Sequence, residues 1–185
     1  QGRNGKGNII TWAAGNGLDD DDNSNYDGYA NLRYTIAVTA VDHKGRQSYY
    51  AEPGANILVA SPSNGDGESI TTTDIEGSGG YSNSDYTSTF GGTSSATPLV
   101  SGIIALMFEA NANLTWRDVQ HILVETSRQN DANDASWATN GAGHLVSHKY
   151  GYGVIDAGAA VAAAVNWTPS EAEISTTSGT IETNL

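Results

Sequence analysis

The sequence predicts an α/β fold in which a mostly parallel sheet packs against helices. Three short runs, Asn8–Gly15 (NIITWAAG), Tyr34–Val41 (YTIAVTAV) and Asn56–Ala60 (NILVA), are rich in Ile, Val, Thr and aromatic residues. They are apolar nearly throughout rather than alternating, which is the pattern of strands covered on both faces. Three helical patterns follow in the second half of the chain, and there is no internal repeat.

Taken in order, the first run stops at Gly15 and leads into Gly17–Asn31, a polar and acidic loop. The second and third runs precede Ser61–Phe90, which is dense in Gly, Ser, Thr and Asn and reads as loop. Long loops of this kind in a compact domain usually carry function. Ser94–Ala110 reads as a helix with Leu99, Val100, Ile103, Ile104, Leu106 and Met107 on most of its sides, so central burial is expected. Pro98 lies near its start, where proline is tolerated. Thr115–Ser127 opens with Thr115 and Asp118 in capping-box spacing, and Val119, Ile122 and Leu123 share one face. Asp156–Val165 is alanine-rich, with Asp156 as N-cap. After Trp167 the segment TPSEAEISTTSGTIETNL lacks helical periodicity. The expected organisation is one domain over 1–168, followed by a linker or the start of another domain over 169–185.

Composition limits the function. A chain of 185 residues suffices for one domain with a real core, and 38% hydrophobic with 16% charged residues is too apolar for disorder. The longest apolar run, Ile103–Phe108, is far too short to span a bilayer, so no membrane partner is expected. A net charge of −13 makes nucleic acid a poor partner and favours divalent cations or basic ligands. The absence of cysteine excludes disulfides and thiolate zinc sites. Gln1 follows no initiator methionine and no signal-peptide pattern, so a processed or trimmed start is expected.

Several short motifs fail. Gly2–Gly7 (GRNGKG) lacks phosphate-loop spacing. Asn23, Asn25, Asp27 and Gly28 begin like a calcium-binding loop, but its twelfth position is Tyr34 rather than glutamate. Gly92 and Ser94 are not a nucleophile elbow, because Ala96 takes the last glycine's place. His43, His121, His144 and His148 show no metal-ligand spacing. Asn113 and Asn166 stand in three-residue glycosylation patterns, which also occur by chance.

Ser94 remains. At a helix N-terminus it is either an N-cap or a nucleophile beside unpaired N–H groups that stabilise a developing oxyanion. The fragment GTSSA alone favours the cap. The longer stretch Gly92–Gly102 (GTSSATPLVSG) resembles the nucleophile motif of subtilisin-like serine proteases, and Trp12–Gly17 (WAAGNG) resembles their strand ending in an oxyanion asparagine. Asn25–Val38, Glu109–Ser127, Trp137–Gly143 and Ser147–Val161 look like the proprotein-convertase (kexin and furin) branch, in the same order, so the likeness runs from Gln1 to Trp167.

The resemblance implies a subtilisin-like three-layer fold, of which this chain is the C-terminal half. It implies a calcium-dependent serine endopeptidase, secreted, cell-surface or periplasmic, acting on peptides or proteins after Arg or Lys. Ser94 matches the nucleophile and Asn16 the side-chain oxyanion donor. Ala13, Ala14 and Gly15 match the strand edge that flanks substrate. Asp27 matches a buried carboxylate at the base of the primary specificity pocket, and Asp22 and Glu52 match Ca²⁺ ligands beneath it. Any of Asp19–Asp22 could slide into that ligand role. The furin group braces these loops with a cysteine pair, where this chain has Ser24 and Pro53. Phe90 and Gly91 replace the polar residues usual before G-T-S. The family's catalytic Asp and His precede the oxyanion asparagine, and nothing here matches them. A partner N-terminal half that supplies both is therefore expected. The rivals are a catalytically silent calcium- or partner-binding domain, and a subtilisin relative of broad specificity.

Overall fold

The computed structural model describes residues 2–171. β1 (Ile10–Ala13), β2 (Thr35–Val41) and β3 (Ile57–Pro62) form a parallel sheet in that order, at the places where the three apolar runs predict strands. Ile10 lies opposite Thr35 and Ala13 opposite Val38, and β2 meets β3 with a register shift between Ala37 and Val38. Every residue of β2 is buried, as its unbroken apolar character requires of a central strand. Ile36, Val38 and Ala40 join the main core, and Val41 faces a smaller cluster with Ala60 and Tyr150.

The segment read as a loop over 61–90 instead contains a hairpin, β4 (Ile70–Thr73) and β5 (Tyr86–Phe90). Its strands are mostly exposed and built from Thr, Ser and Tyr, so apolar patterning could not mark them. A second small hairpin joins β6 (Ala138–Thr139) and β7 (Leu145–Val146).

The helices are α1 (Thr93–Ala110), α2 (Trp116–Thr126) and α3 (Ala157–Val165). α2 carries the capping box predicted for Thr115 and Asp118, and α3 is capped by Asp156, whose carboxylate accepts from Ala159 N–H at 2.9 Å. α1 packs on all three strands and on α3 through Thr93, Ala96, Val100, Ile104 and Met107. It is not buried all round, because Leu99 is 43% and Leu106 51% exposed. Long and apolar enough by length and composition to cross a membrane, it serves here as a core helix. Pro98 sits at its sixth position rather than in the first turn, so Ser94 C=O lacks its i+4 N–H donor.

Asp118 also accepts from Trp167 Nε1 at 3.2 Å and Ser170 N–H at 2.7 Å. The first residues of the expected linker are thus pinned to α2. The rest of it, 172–185, lies outside the described residues.

Candidate active site

The turn from β5 into α1 decides what Ser94 is. Gly92, at φ 79°, is the N-cap of α1 and offers no side-chain cap. Ser94 is the second helical residue, so the reading of Ser94 as an N-cap is wrong. Its side chain is exposed, and neither its N–H nor its Oγ has a hydrogen-bond partner among the described residues. The first-turn N–H groups of a helix point outward at the positive end of its dipole.

Asn16 is brought to this turn by β1, whose ladder continues through Ala14 N–H to Val38 C=O at 2.9 Å. Its Oδ1 accepts from both the N–H and the hydroxyl of Thr93, each at 2.9 Å. The Thr93 hydroxyl in turn accepts from Gly15 N–H at 3.3 Å. With its oxygen held by two donors of Thr93, the amide must turn Nδ2 away from Thr93. The position that a Cβ on Gly92 would occupy is 3.4 Å from Asn16 Nδ2 and 3.6 Å from Ser94 N. Asn16 Nδ2 and Ser94 N, neither with a hydrogen-bond partner among the described residues, thus both lie near the position that glycine leaves without a Cβ, and Asn16 Oδ1 is 3.5 Å from it.

Asp27 sits at the end of the 3₁₀ turn Ser24–Tyr26. Its Oδ1 accepts from Tyr29 N–H at 2.7 Å and Ala30 N–H at 3.3 Å, and its Oδ2 from Trp12 Nε1 at 3.2 Å. Trp12 stacks on Tyr29 with 5.0 Å between ring centroids. These bonds, with the Tyr29 N–H foremost, hold the Asp27 carboxyl below its ordinary pKa. The buried carboxylate expected here is instead exposed.

Glu52 is the buried acid of the site, 7% exposed. Its Oε1 accepts from Gly17 N–H at 2.8 Å. Burial pushes its carboxyl up, and the charges of Asp22 and Asp27 push it further. A Cβ on Gly17 would stand 3.1 Å from Glu52 Oε1 and 3.3 Å from Asp22 Oδ2, so the two acids converge there. Asp22 is the member of the run 19–22 that reaches this point, since Asp19 and Asp20 are taken into the 3₁₀ turn Leu18–Asp20 and Asp21 is its left-handed C-cap. Gly15 backs onto the same acid: at φ 116° any side chain there would overlap the Glu52 carboxylate. The two loops are joined by Ser24 N–H to Pro53 C=O at 3.0 Å and by Asn56 Nδ2, which reaches Ser24 O at 3.2 Å and Oγ at 3.0 Å. Hydrogen bonds therefore stand where the resemblance places a cysteine pair. Among the described residues no three His, Asp or Glu side chains form a complete metal centre.

The cleft beside Ser94 is lined by Asn16, Tyr49, Tyr50, Asn64, Tyr81 and Phe90, and no histidine lines it. His43 lies in a different cavity with Arg128 and Asn130, and His121 and His144 line the outer face of α2. Sequence reasoning missed Asn64 and Ser63, which bind Gly92, and Tyr50, whose hydroxyl bonds both of them. SPSNG reads as ordinary turn chemistry, and the one available signal was the paired Gly91–Gly92, which invites close approach.

The subtilase family model matches residues 1–153. The chain is 46% identical to furin of Mus musculus over 170 residues, covering 91% of this chain and 21% of that protein. It is 45% identical to proprotein convertase subtilisin/kexin type 6 of Rattus norvegicus, covering 91% of this chain and 17% of that one. It thus spans about a fifth of the length of the curated relatives it matches. Among solved structures, the Aeromonas sobria serine protease in complex with its chaperone superposes with a TM-score of 0.84 at 26% identity, covering 91% of this chain and 38% of that chain. A Pseudoalteromonas arctica protease gives 0.67 at 31% identity, covering 85% and 43%.

Proposed function

The chain belongs to the subtilase family, and from that premise we propose that it is the nucleophile-bearing half of a serine endopeptidase that hydrolyses peptide bonds after Arg or Lys. The observation that carries this reading is the pair of donors, Ser94 N–H and Asn16 Nδ2, which have no partner among the described residues and stand together beside Gly92 and the exposed Ser94. A helix start normally satisfies such groups. Leaving both open suits an oxygen that becomes negative during reaction.

In this reading substrate lies along Ala13–Gly15 with its carbonyl oxygen against those two donors. Ser94 Oγ attacks the carbonyl carbon while a histidine, oriented by an aspartate, takes the hydroxyl proton. Both belong to the N-terminal half of the protease, the partner that completes residues 1–168. The oxyanion rests on Ser94 N–H and Asn16 Nδ2. Its collapse breaks the C–N bond, and the histidine returns the proton to the departing amine. Water then releases the acyl group from Ser94 by the same steps. Asp27 seats the Lys or Arg side chain, its exposed carboxylate receiving the cation and its charge kept at neutral pH by the turn N–H groups.

A buried glutamate with a raised pKa, converging with Asp22 on one point, has the chemistry of a hard-cation site that wants positive charge. Glu52 and Asp22 would hold Ca²⁺ there with further ligands from the N-terminal half. The ion supplies charge neutralisation and rigidity to the loop carrying Asp27. A calcium-rich compartment suits such a site, so the protein is placed outside the cytoplasm, as a secreted, cell-surface or periplasmic enzyme.

A fluorophosphonate probe tests the nucleophile on the complete protease. The expected result is one label, on Ser94, lost in Ser94→Ala. Absence of label in the complete protein, or equal labelling of Ser94→Ala, would reject the enzyme and leave a binding domain.

A further inference from the structure

Gly92 has no side chain to hold it, follows another glycine, and adopts φ 79° and ψ 171°, a region that glycine alone visits freely. Left to itself the Gly91–Gly92 pair would be among the most mobile backbone in the molecule. Gly92 is held at both of the peptide units that flank it. Gly92 N–H donates to Asn64 Oδ1 at 2.8 Å. Gly92 C=O accepts from Ser63 Oγ at 2.8 Å and from Ser95 N–H at 3.1 Å.

The grip is itself braced. Tyr50 OH donates to Asn64 Oδ1 at 2.6 Å, and the Ser63 and Ser95 hydroxyls lie 2.6 Å apart. Tyr50, Ser63 and Ser95 are all buried. The direction of the Asn64 amide is settled by Gly92 N–H, which needs an acceptor, and of the two amide atoms only the oxygen is one. Gly91 belongs to the same device, since a Cβ there would overlap the Asn64 amide.

We propose that Asn64, braced by Tyr50, is a positioning residue: it fixes the Gly92 peptide and thereby aims Ser94 N–H at the oxyanion. The proposal rests on the reading of Ser94 and Asn16 given above. Asn16 is anchored through Thr93, whose N–H lies in the same peptide unit as Gly92 C=O, while Asn64 holds the Gly91–Gly92 peptide on the other side of Gly92. Ser94 N–H lies two residues after Gly92, one peptide beyond Thr93, and rotation about the Gly92 dihedrals carries it along with Thr93. A misplacement of roughly 1 Å at such a donor costs about a hundredfold in rate, whereas substrate contacts away from the turn are untouched. Loss of the clamp therefore lowers kcat and spares KM.

The test uses the complete protease, with active sites counted by fluorophosphonate titration. Asn64→Ala is expected to lower kcat per titrated serine about 10- to 100-fold, with KM within about threefold of wild type. A peptide aldehyde, which forms an oxyanion on Ser94, should lose affinity in the same proportion as kcat. A non-covalent product peptide should bind as before. Tyr50→Phe removes the shortest of the three bonds to Asn64 Oδ1 and keeps the ring, and it should show the same pattern at a smaller size. If Asn64→Ala does not fold, Tyr50→Phe decides alone. A kcat per titrated serine equal to wild type, with only the melting temperature lowered, overturns the proposal. So does equal weakening of aldehyde and product peptide. If Asn16→Ala abolishes turnover while Asn64→Ala does not, the clamp is wrong and the oxyanion site stands. A wild-type protease that takes no label removes the clamp together with its premise.

Discussion

Asn16 has two jobs that one substitution separates from another. Its Oδ1 accepts two bonds from Thr93 and serves the fold, and under the proposed function its Nδ2 donates to the oxyanion. Asn16→Ala removes both. The buried Thr93 loses its partner, which costs about 1–3 kcal/mol of stability for an unsatisfied donor. One oxyanion donor also disappears, which costs about 10²–10³ in kcat, or roughly 2.7–4 kcal/mol. Asn16→Asp keeps an oxygen for Thr93 and gains about 0.3–1 kcal/mol from a carboxylate at the α1 N-terminus. It also puts a second carboxylate oxygen where Nδ2 was, facing the developing negative charge. At neutral pH its kcat should fall at least as far as that of the alanine variant, while its stability matches or exceeds wild type. The assay is hydrolysis of a fluorogenic peptide with Arg before the scissile bond, per titrated serine, beside thermal unfolding of the same complete protease. An aspartate variant within about tenfold of wild-type kcat would refute the assignment of Nδ2 to the oxyanion. Parallel falls in stability and activity in both variants would refute the division of labour.

Asp27→Asn keeps an oxygen for the Tyr29 and Ala30 N–H groups, so the turn should survive. Turnover of Arg substrates should then drop far more than that of Leu substrates, and equal losses in parallel kcat/KM measurements would reject the pocket assignment. Calcium should raise the melting temperature of the complete protease, by about 2.7 kcal/mol of stability at a hundred times Kd, and chelation should reverse this. Glu52→Gln should weaken the response, and an unchanged calcium titration would exclude Glu52 as a ligand. At Asp118 burial alone would raise the carboxyl pKa, but the N–H groups of Ser170 and Thr115 and the Thr115 hydroxyl outweigh it and hold the pKa low. A depressed folded pKa stabilises above the unfolded value of about 4 and is lost as pH falls through the folded one. Acid unfolding of Asp118→Asn should therefore lack part of the wild-type decline below about pH 4, and superimposable pH–stability curves would contradict this.

The strands and helices were legible because their residues encode burial. An all-buried β2 must read as unbroken Ile, Val, Ala and Thr, and the Thr115–Asp118 spacing encodes a capping box that the folded chain forms. The β4–β5 hairpin was not legible, since exposed Thr, Ser and Tyr leave no apolar period to read. At the site, Ser94 and Asn16 could be named from motif words, yet the direction of the Asn16 amide could not. That depends on Thr93, 77 positions away in the chain. The same holds for Asn64, whose role exists only because β3 brings the 63–64 turn behind Gly92.

The three helix starts argue for function from within the molecule. α2 and α3 begin as isolated stability would have them, with Thr115 and Asp156 each accepting from the N–H of the third helical residue. α1 begins on Gly92, and its second residue is left with a bare N–H. A side-chain cap at position 92 would strain the left-handed backbone and put a Cβ beside Asn16 Nδ2 and Ser94 N. The missing cap costs little beside the mispositioned donor it would create. Where two helices of one chain follow the stability rule and a third departs from it at an exposed serine, the departure supports the proposal that places the nucleophile there.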